Sequence, residues 1–160
     1  MNPIGTVVVG VDGSPESGAA IEFAMQEAVR RRAWLRVVAA AQLPEYWTIA
    51  YGTADLPSPE EVIADTKRVA RQTLDAVVTA HPELAAVEFD VEAVAGSPGP
   101  VLVEASEGAD LLVLGHRGRG AVRSALLGSV GLHCVLHATC PVTVVRPAAV
   151  SAPPALAAQA

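Results

Sequence analysis

The sequence has few aromatic residues, only two cysteines and no long apolar segment. Aromatic residues make up 4% of the 160 residues, so the hydrophobic share of 51% comes mainly from Val, Leu and Ala. This composition is typical of one folded domain and excludes a disordered chain. Two cysteines are too few for a disulfide framework, which predicts a reducing, cytoplasmic location. No run approaches the roughly 20 apolar residues of a membrane span, and Met1–Ile4 lacks a basic export signal, so we expect no membrane partner.

Acidic residues are absent from the last third of the chain. All 17 acids precede residue 111, whereas Arg117, Arg119, Arg123 and Arg146 follow it. This asymmetry indicates an anionic partner for the second part of the chain. Four positive charges suit a small phosphate ligand better than nucleic acid, because duplex binders commonly make ~6–10 phosphate contacts. The net charge of −6 also argues against nucleic acid. Charge alone leaves open that these arginines are solvated surface residues.

Strand and helix signals alternate along the chain. Apolar, β-branched runs predict five strands: Thr6–Val11, Leu35–Ala41, Val87–Ala93, Leu111–Leu114 and Pro141–Val145. Helix starts are expected at Ser14-Pro15-Glu16, at the capping box Ser58–Glu61, after the turn Gly96–Pro100, and near Ser129. The alternation predicts an α/β fold in three layers, with a doubly wound parallel sheet.

Strand composition predicts the order of the sheet. The first and fourth strands are purely apolar and belong in the middle, whereas the third alternates with acids and belongs at an edge. These positions fit the order 3-2-1-4-5. Two segments are expected outside the elements, a long loop over residues 42–57 and a disordered Ala/Pro-rich tail over residues 148–160.

The predicted order places a ligand site at the carboxyl ends of the first and fourth strands, where the chain reverses direction. Asp12 follows the first strand, and a glycine-rich loop begins at Gly115 after the fourth. Glycines let the backbone approach a phosphate. Gly128-Ser129 opens the next helix, whose N-terminus favours an anion. A glycine turn without any ligand is the alternative that this pattern leaves open.

The spaced motif Gly115-x2-Gly118-x9-Gly128-Ser129 resembles that of the ATP-binding branch of the universal stress protein family. Val11-Asp12-Gly13-Ser14 and Ala138–Val145 are similar to the opening and closing segments of that family, and the resemblance covers roughly residues 4–146. It implies a Rossmann-like domain of the adenine nucleotide alpha-hydrolase type over residues 1–147. It also implies a homodimer that acts in stress response or dormancy rather than as a fast enzyme.

Position by position, the resemblance implies a site for ATP with Mg²⁺. Gly10 and Asp12 face the nucleotide in this interpretation, with Asp12 on the ribose or the metal, and Ala40 offers backbone groups to adenine. The ribose and phosphates are then lined by Gly115, His116, Arg117, Gly118, Arg119, Gly120, Ala121, Gly128, Ser129 and Val130. One departure is Ala39, where many members have histidine, and this is expected to alter packing more than binding.

Other nucleotide motifs do not fit. The chain has no Gly-x4-Gly-Lys-(Ser/Thr) segment, which excludes a P-loop NTPase. Gly10–Ser14 does not match the dinucleotide fingerprint, and the only lysine, Lys67, lies on a predicted helix, unlike the lysine of a receiver domain. No acid follows the loop to position a water molecule, so efficient ATP hydrolysis is not expected. A slow ATPase or phosphotransferase and a nucleotide-free interaction module stay as alternatives.

His133 and His137 are four residues apart on the last predicted helix, a spacing that a metal ion can share, with Cys134 and Cys140 nearby. We favour the commoner interpretation, partly buried polar residues near a subunit contact. The cysteines are not spaced as C-x-x-C, and Cys140 is expected to be a buried structural thiol. Dimerisation is expected through the edge strand Val142–Val145.

Overall fold

The computed structural model describes residues 3–43, 56–116 and 127–147. Its elements are β1 (Gly5–Val11), α1 (Pro15–Arg31), β2 (Ala33–Ala41), α2 (Pro59–Ala80), a 3₁₀ helix (Pro82–Leu84), β3 (Phe89–Ala95), α3 (Pro98–Ala105), β4 (Leu111–Gly115), α4 (Ser129–His137) and β5 (Val142–Val145). The strands form one parallel sheet in the order β3-β2-β1-β4-β5. The α/β fold and the predicted strand order are therefore confirmed. Residues 148–160 and most of the predicted 42–57 loop lie outside the described ranges.

The apolar central strands are buried on both faces. Val7 and Val9 belong to a core cluster that α1 and α2 complete with Ile21, Met25 and Leu74. The opposite face contributes another cluster, whose members from the strands, α3 and α4 are Val8, Val38, Leu112, Leu114, Val101, Leu102 and Cys134. A strand covered on both sides has no polar face to present, which is why β1 and β4 show no alternation.

The third strand begins two residues later than its alternating sequence predicts. The predicted strand was Val87–Ala93, whereas β3 spans Phe89–Ala95. The Val87 amide donates to the Leu84 carbonyl and so closes the turn after the 3₁₀ helix, although the Val87 side chain is still buried. The predicted start of the third strand was wrong, because an apolar residue can be buried without joining the hydrogen-bond ladder of the sheet.

Three of the four predicted helix starts are confirmed in position. The helix expected after the turn Gly96–Pro100 begins inside it, at Pro98, because Ser97 takes the N-cap position and proline suits the first helical position. Ser58 and Glu61 form the reciprocal capping box of α2: the Ser58 hydroxyl accepts from the Glu61 amide and the Glu61 carboxylate accepts from the Ser58 amide. Within the described ranges, no helix has the length and apolar character needed to cross a bilayer.

Candidate nucleotide site

The carboxyl ends of β1 and β4 lie side by side at the point where the strand order reverses. Val9 lies opposite Val113 in the parallel pairing, and the strands end at Val11 and Gly115. Asp12 and His116 therefore follow neighbouring strands at one edge of the sheet. This is the position at which open α/β sheets bind ligands.

The carboxylate of Asp12 is oriented by the start of α1. One of its oxygens, Oδ1, accepts from the Ser14 amide at 2.9 Å and from the Ser17 hydroxyl at 2.8 Å. The Asp12 amide in turn donates to the Ser17 hydroxyl at 3.1 Å. Gly13, with φ of 76°, makes the turn between Asp12 and Ser14. The exposed Asp12 side chain is thus held in a defined direction at the switch point.

Ser17 is a site residue that the sequence analysis missed. Ser14 was expected to cap α1 with its hydroxyl; it occupies the N-cap position, but its side chain makes no capping bond. The buried hydroxyl of Ser14 has no hydrogen-bond partner among the described residues. Ser17 is buried and bonds Asp12 instead. The only available signal was the i, i+5 spacing from Asp12, which is not a familiar motif.

Gly10 is required for packing beneath the site. A Cβ on Gly10 would lie 2.7 Å from Cδ1 of Leu102 and 2.9 Å from Cδ2 of Leu114. The missing side chain therefore lets α3 approach β1. Contact between Gly10 and a nucleotide stays a prediction.

The two alanines near the end of β2 face opposite sides of the sheet. Ala40 is half-buried against the α3–α4 cluster and pairs in register with Val94. Ala39 is buried in the α1–α2 cluster. The departure from the family pattern at Ala39 thus falls in the core, whereas the predicted adenine contact of Ala40 remains untested.

The start of α4 is tied to the end of β4. The buried His116 donates its amide to the Val145 carbonyl at 2.8 Å, and its own carbonyl accepts from the Gly128 amide at 3.4 Å. Gly128 is the N-cap of α4, so the N-cap residue itself provides no side-chain bond to the first amides of this helix. Ser129 is exposed at the first helical position, and Val130 is half-buried. The structure thus brings His116, Gly128 and Ser129 together beside Gly115.

Five predicted phosphate-loop residues lie outside the described ranges: Arg117, Gly118, Arg119, Gly120 and Ala121. The described part of the site still offers two complementary kinds of group. The Asp12 carboxylate attracts a cation, while the N-terminus of α4 and the Ser129 hydroxyl attract an anion. Among the described residues there is no group of three or more metal-ligating side chains. One carboxylate together with substrate phosphates is, however, the usual way proteins hold Mg²⁺.

The cysteines differ from expectation in their burial. Cys134 is the fully buried thiol, whereas Cys140, predicted to be buried, is half-buried. Both are free. Burial, with a smaller contribution from neighbouring Cys140, raises the pKa of Cys134 to about 11. The prediction relied on Pro141 as a neighbour of Cys140. Burial depends instead on position in the helix, because Cys134 lies on the face of α4 that meets the sheet.

A doubly wound parallel sheet with a crevice at the switch point of its strand order defines the class of open α/β domains. The family model described as "Universal stress protein family" matches residues 3–146. The chain belongs to this family.

Individual relatives agree with this assignment. Universal stress protein Rv1996 of Mycobacterium tuberculosis is 35% identical over 149 residues, covering 87% of this chain and 47% of the relative. The chain thus spans about half the length of the curated relatives it matches. A crystal structure of a universal stress protein in complex with cAMP has a TM-score of 0.61 and 29% identity, over 89% of this chain and 96% of the other. The universal stress protein of Archaeoglobus fulgidus in complex with dAMP shares the fold, with a TM-score of 0.56 and 22% identity over 89% and 98% of the two chains.

Proposed function

We propose that this chain binds ATP with Mg²⁺ at the switch point between β1 and β4, and that occupancy of the site controls its self-association in a stress response or in dormancy. The observation that carries the proposal is the pairing of neighbouring strand ends. One strand end leads into the oriented carboxylate of Asp12, and the other is bonded to the N-cap of α4 through His116 and Gly128. The cAMP complex of a relative with 29% identity supports an adenine nucleotide as the ligand.

The start of α4 suits the phosphates. The first amides of a helix have no partner within it, and they carry the positive end of the helix dipole. In α4 the N-cap is a glycine, so the N-cap residue offers these amides no side chain, and the exposed Ser129 stands at the first helical position. We assign the β- and γ-phosphates to this group, with Arg117, Gly118, Arg119, Gly120 and Ala121 contributing from the preceding loop.

Asp12 suits the divalent cation. Its Oδ1 is occupied by Ser14 and Ser17, and this fixes the carboxylate beside the strand that leads to the phosphate loop. Mg²⁺ bound to the phosphates neutralises part of their charge when it is present. The role of Asp12 is to hold that cation or the ribose, while Ser17 positions the carboxylate.

The two free thiols agree with the reducing cytoplasm to which we assign the protein.

Self-association is proposed through the edge strand β5. Its sequence Val142–Val145 has no charged residue, and all four residues are half-buried at the open edge of the sheet. The opposite edge strand, β3, carries Asp90 and Glu92, charges of the kind that deter edge pairing. A two-fold axis beside β5 lets two copies satisfy the unpaired backbone groups of each other.

An apolar ridge on α4 continues this edge. Leu132, Val135 and Leu136 are 51%, 50% and 68% exposed. His133 lies against Gly99 of α3, and Val135 is two residues further, which is about 200° around the helix. Val135 thus lies on the flank away from α3, where a second copy can cover the ridge.

Calorimetric titration of the full chain with ATP, with and without Mg²⁺, tests the binding proposal. Asp12→Asn is expected to abolish the gain in ATP affinity that Mg²⁺ provides. Ser129→Ala is expected to weaken ATP binding both with and without Mg²⁺. Asp90→Asn on β3 and Ser97→Ala, at an N-cap whose side chain makes no capping bond, are the matched controls. The proposal fails if Asp12→Asn and Ser129→Ala bind ATP as the wild type does, or if the controls weaken it equally.

A further inference from the structure

A groove runs between α1 and α2, on the face of the sheet opposite α3 and α4. Its volume is about 570 Å³, within the ~300–1,000 Å³ of pockets that take small molecules. Ser14 lines the groove at the start of α1, and His81 lines it just after the end of α2. Glu22 also lines it, eight residues after Ser14, so the groove extends about 12 Å along α1.

Small residues keep the groove open along its length. Gly18 lines it midway between Ser14 and Glu22, and Ala76 and Ala80 line it from α2. A Cβ on Gly18 would meet no atom within 4 Å. Close packing of α1 against α2 therefore does not require glycine at this position, and the space beside it can hold an apolar chain.

The end of the groove at His81 is negatively charged. Oε2 of Glu22 lies 3.4 Å from Nε2 of His81, and Oε1 of Glu83 lies 3.4 Å from Nδ1. Two carboxylates thus share one imidazole, so even a protonated His81 leaves one negative charge uncompensated among these three residues. The last turn of α2 has no basic residue, and the negative end of its helix dipole adds to this charge. We call this region the acidic end of the groove.

Glu22 has capacity for another hydrogen-bond donor. Its Oε1 accepts from Nε2 of Gln26 at 3.2 Å, and its contact with His81 is longer than an ordinary hydrogen bond. An ionised carboxylate has about four lone-pair sites, and the Glu22 side chain is 37% exposed. Among the described residues, no lysine or arginine lines the groove. The acidic end therefore favours a cation supplied by a ligand.

We propose that this groove binds an aliphatic primary amine, with the ammonium group on Glu22 and the hydrocarbon chain between Gly18 and Ala76. A carboxylate in place of the ammonium group would meet like charge at the acidic end. An uncharged head group would lose the ion pair with Glu22. The inference does not rest on nucleotide binding, because none of these three residues belongs to the proposed ATP–Mg²⁺ site.

The test is a titration of the nucleotide-free full chain at pH 7 with octylamine, octanol and octanoate, followed by amide chemical shifts. Octylamine should shift the amides of Gly18, Glu22 and Ala76 together, saturate at one molecule per chain, and bind more tightly than octanol and octanoate. Glu22→Gln should lower the octylamine affinity about three- to fivefold, as expected for a partly exposed ion pair, and leave octanol binding unchanged. Gly18→Leu should abolish the binding of both, because its side chain fills the groove.

Glu104→Gln and Asp12→Asn are the control variants. Glu104 is exposed on α3, at the opposite face of the sheet, and Asp12→Asn alters the proposed ATP–Mg²⁺ site. Both should bind octylamine as the wild type does, and thermal unfolding checks that Gly18→Leu is folded. The inference is overturned if octylamine does not bind, if octanoate binds as tightly, or if Glu22→Gln or folded Gly18→Leu keeps wild-type affinity. Equal weakening by either control would also overturn it.

Discussion

The amide of Gly128 donates to the carbonyl of His116 across 3.4 Å, joining the N-cap of α4 to the end of β4. This bond places the positive end of the α4 dipole at the same edge of the sheet as the Asp12 carboxylate. The site thus depends on two strand ends that are 104 positions apart in sequence but adjacent in the sheet, since β1 pairs with β4.

Gly10 is predicted to be intolerant of any side chain. Gly10→Ala should lower the free energy of unfolding by about 1–3 kcal/mol, because the added methyl would overlap Leu102 and Leu114. Gly18→Ala is the matched control: its Cβ meets nothing within 4 Å in the interior of α1, so it should stabilise the protein by roughly 0.5–1 kcal/mol. Urea unfolding of both variants measures the difference. Equal effects of the two substitutions would contradict this account.

Cys134 is predicted to resist alkylation while Cys140 reacts. Iodoacetamide at pH 8, followed by mass spectrometry of peptides, should label Cys140 first, because the thiolate is the nucleophile and the pKa of Cys134 is raised to about 11 by burial. The raised pKa also has a stability consequence. The contribution of the neutral thiol is present below the unfolded value of 9.0 and is lost between pH 9 and about 11.

The alkaline loss has its own control. Cys134→Ala should remove that part of the stability decrease above pH 9, whereas Cys140→Ser should keep it. Faster labelling of Cys134 than of Cys140 would show that the buried position is wrong.

Glu27 is predicted to contribute a small, acid-sensitive part of the stability. The hydrogen bond from Arg30, and then that from Arg31, lower the pKa of Glu27 below 4.5. The contribution is therefore present above pH 4.5 and is lost as the pH falls through the lowered value. Glu27→Gln should cost only about 0.5 kcal/mol at pH 7, because both arginines are exposed.

Chemical unfolding at pH 7 and pH 3 measures this difference. The gap between Glu27→Gln and the wild type should narrow at pH 3, while Glu104→Gln, at an exposed position of α3, should match the wild type at both values. A gap that grows in acid would contradict the assignment.

Charge on β5 is predicted to dissociate the proposed homodimer. Val144→Asp should shift the wild-type dimer to monomer in sedimentation velocity, because two copies would then place like charges in one edge pairing. Leu136→Asp on the α4 ridge should act in the same direction. Val94→Asp, on the opposite edge strand β3, is the control and should remain dimeric. If only Val94→Asp dissociated the dimer, the interface would lie at the β3 edge, and the proposed β5 interface would be wrong.

Much of the fold could be predicted from the sequence because burial on two faces leaves a clear pattern. The apolar runs of β1 and β4 indicated central strands and the acids of β3 indicated an edge strand, and these positions fit the observed order. Finer features depend on competition between nearby groups. Ser14 and Ser17 both offer a hydroxyl at the start of α1, and only the three-dimensional turn at Gly13 decides that Ser17 bonds Asp12.

The start of β3 and the burial of the cysteines needed tertiary information for a similar reason. Val87 satisfies the hydrophobic pattern whether or not it joins the ladder, and its amide bonds Leu84 instead. Cys134 lies on the face of α4 that meets the sheet, whereas Cys140 lies between the end of α4 and the start of β5.

The central claim is tested most directly by recording amide chemical shifts during a titration of the full chain with ATP and Mg²⁺. We predict that the amides of Ser129, Val130 and Gly13 shift together and saturate at one nucleotide per chain, with the Ser129 and Val130 changes depending on the triphosphate. The claim would be contradicted if the chemical shifts of these three amides stayed unchanged while those of residues remote from the carboxyl ends of β1 and β4 changed.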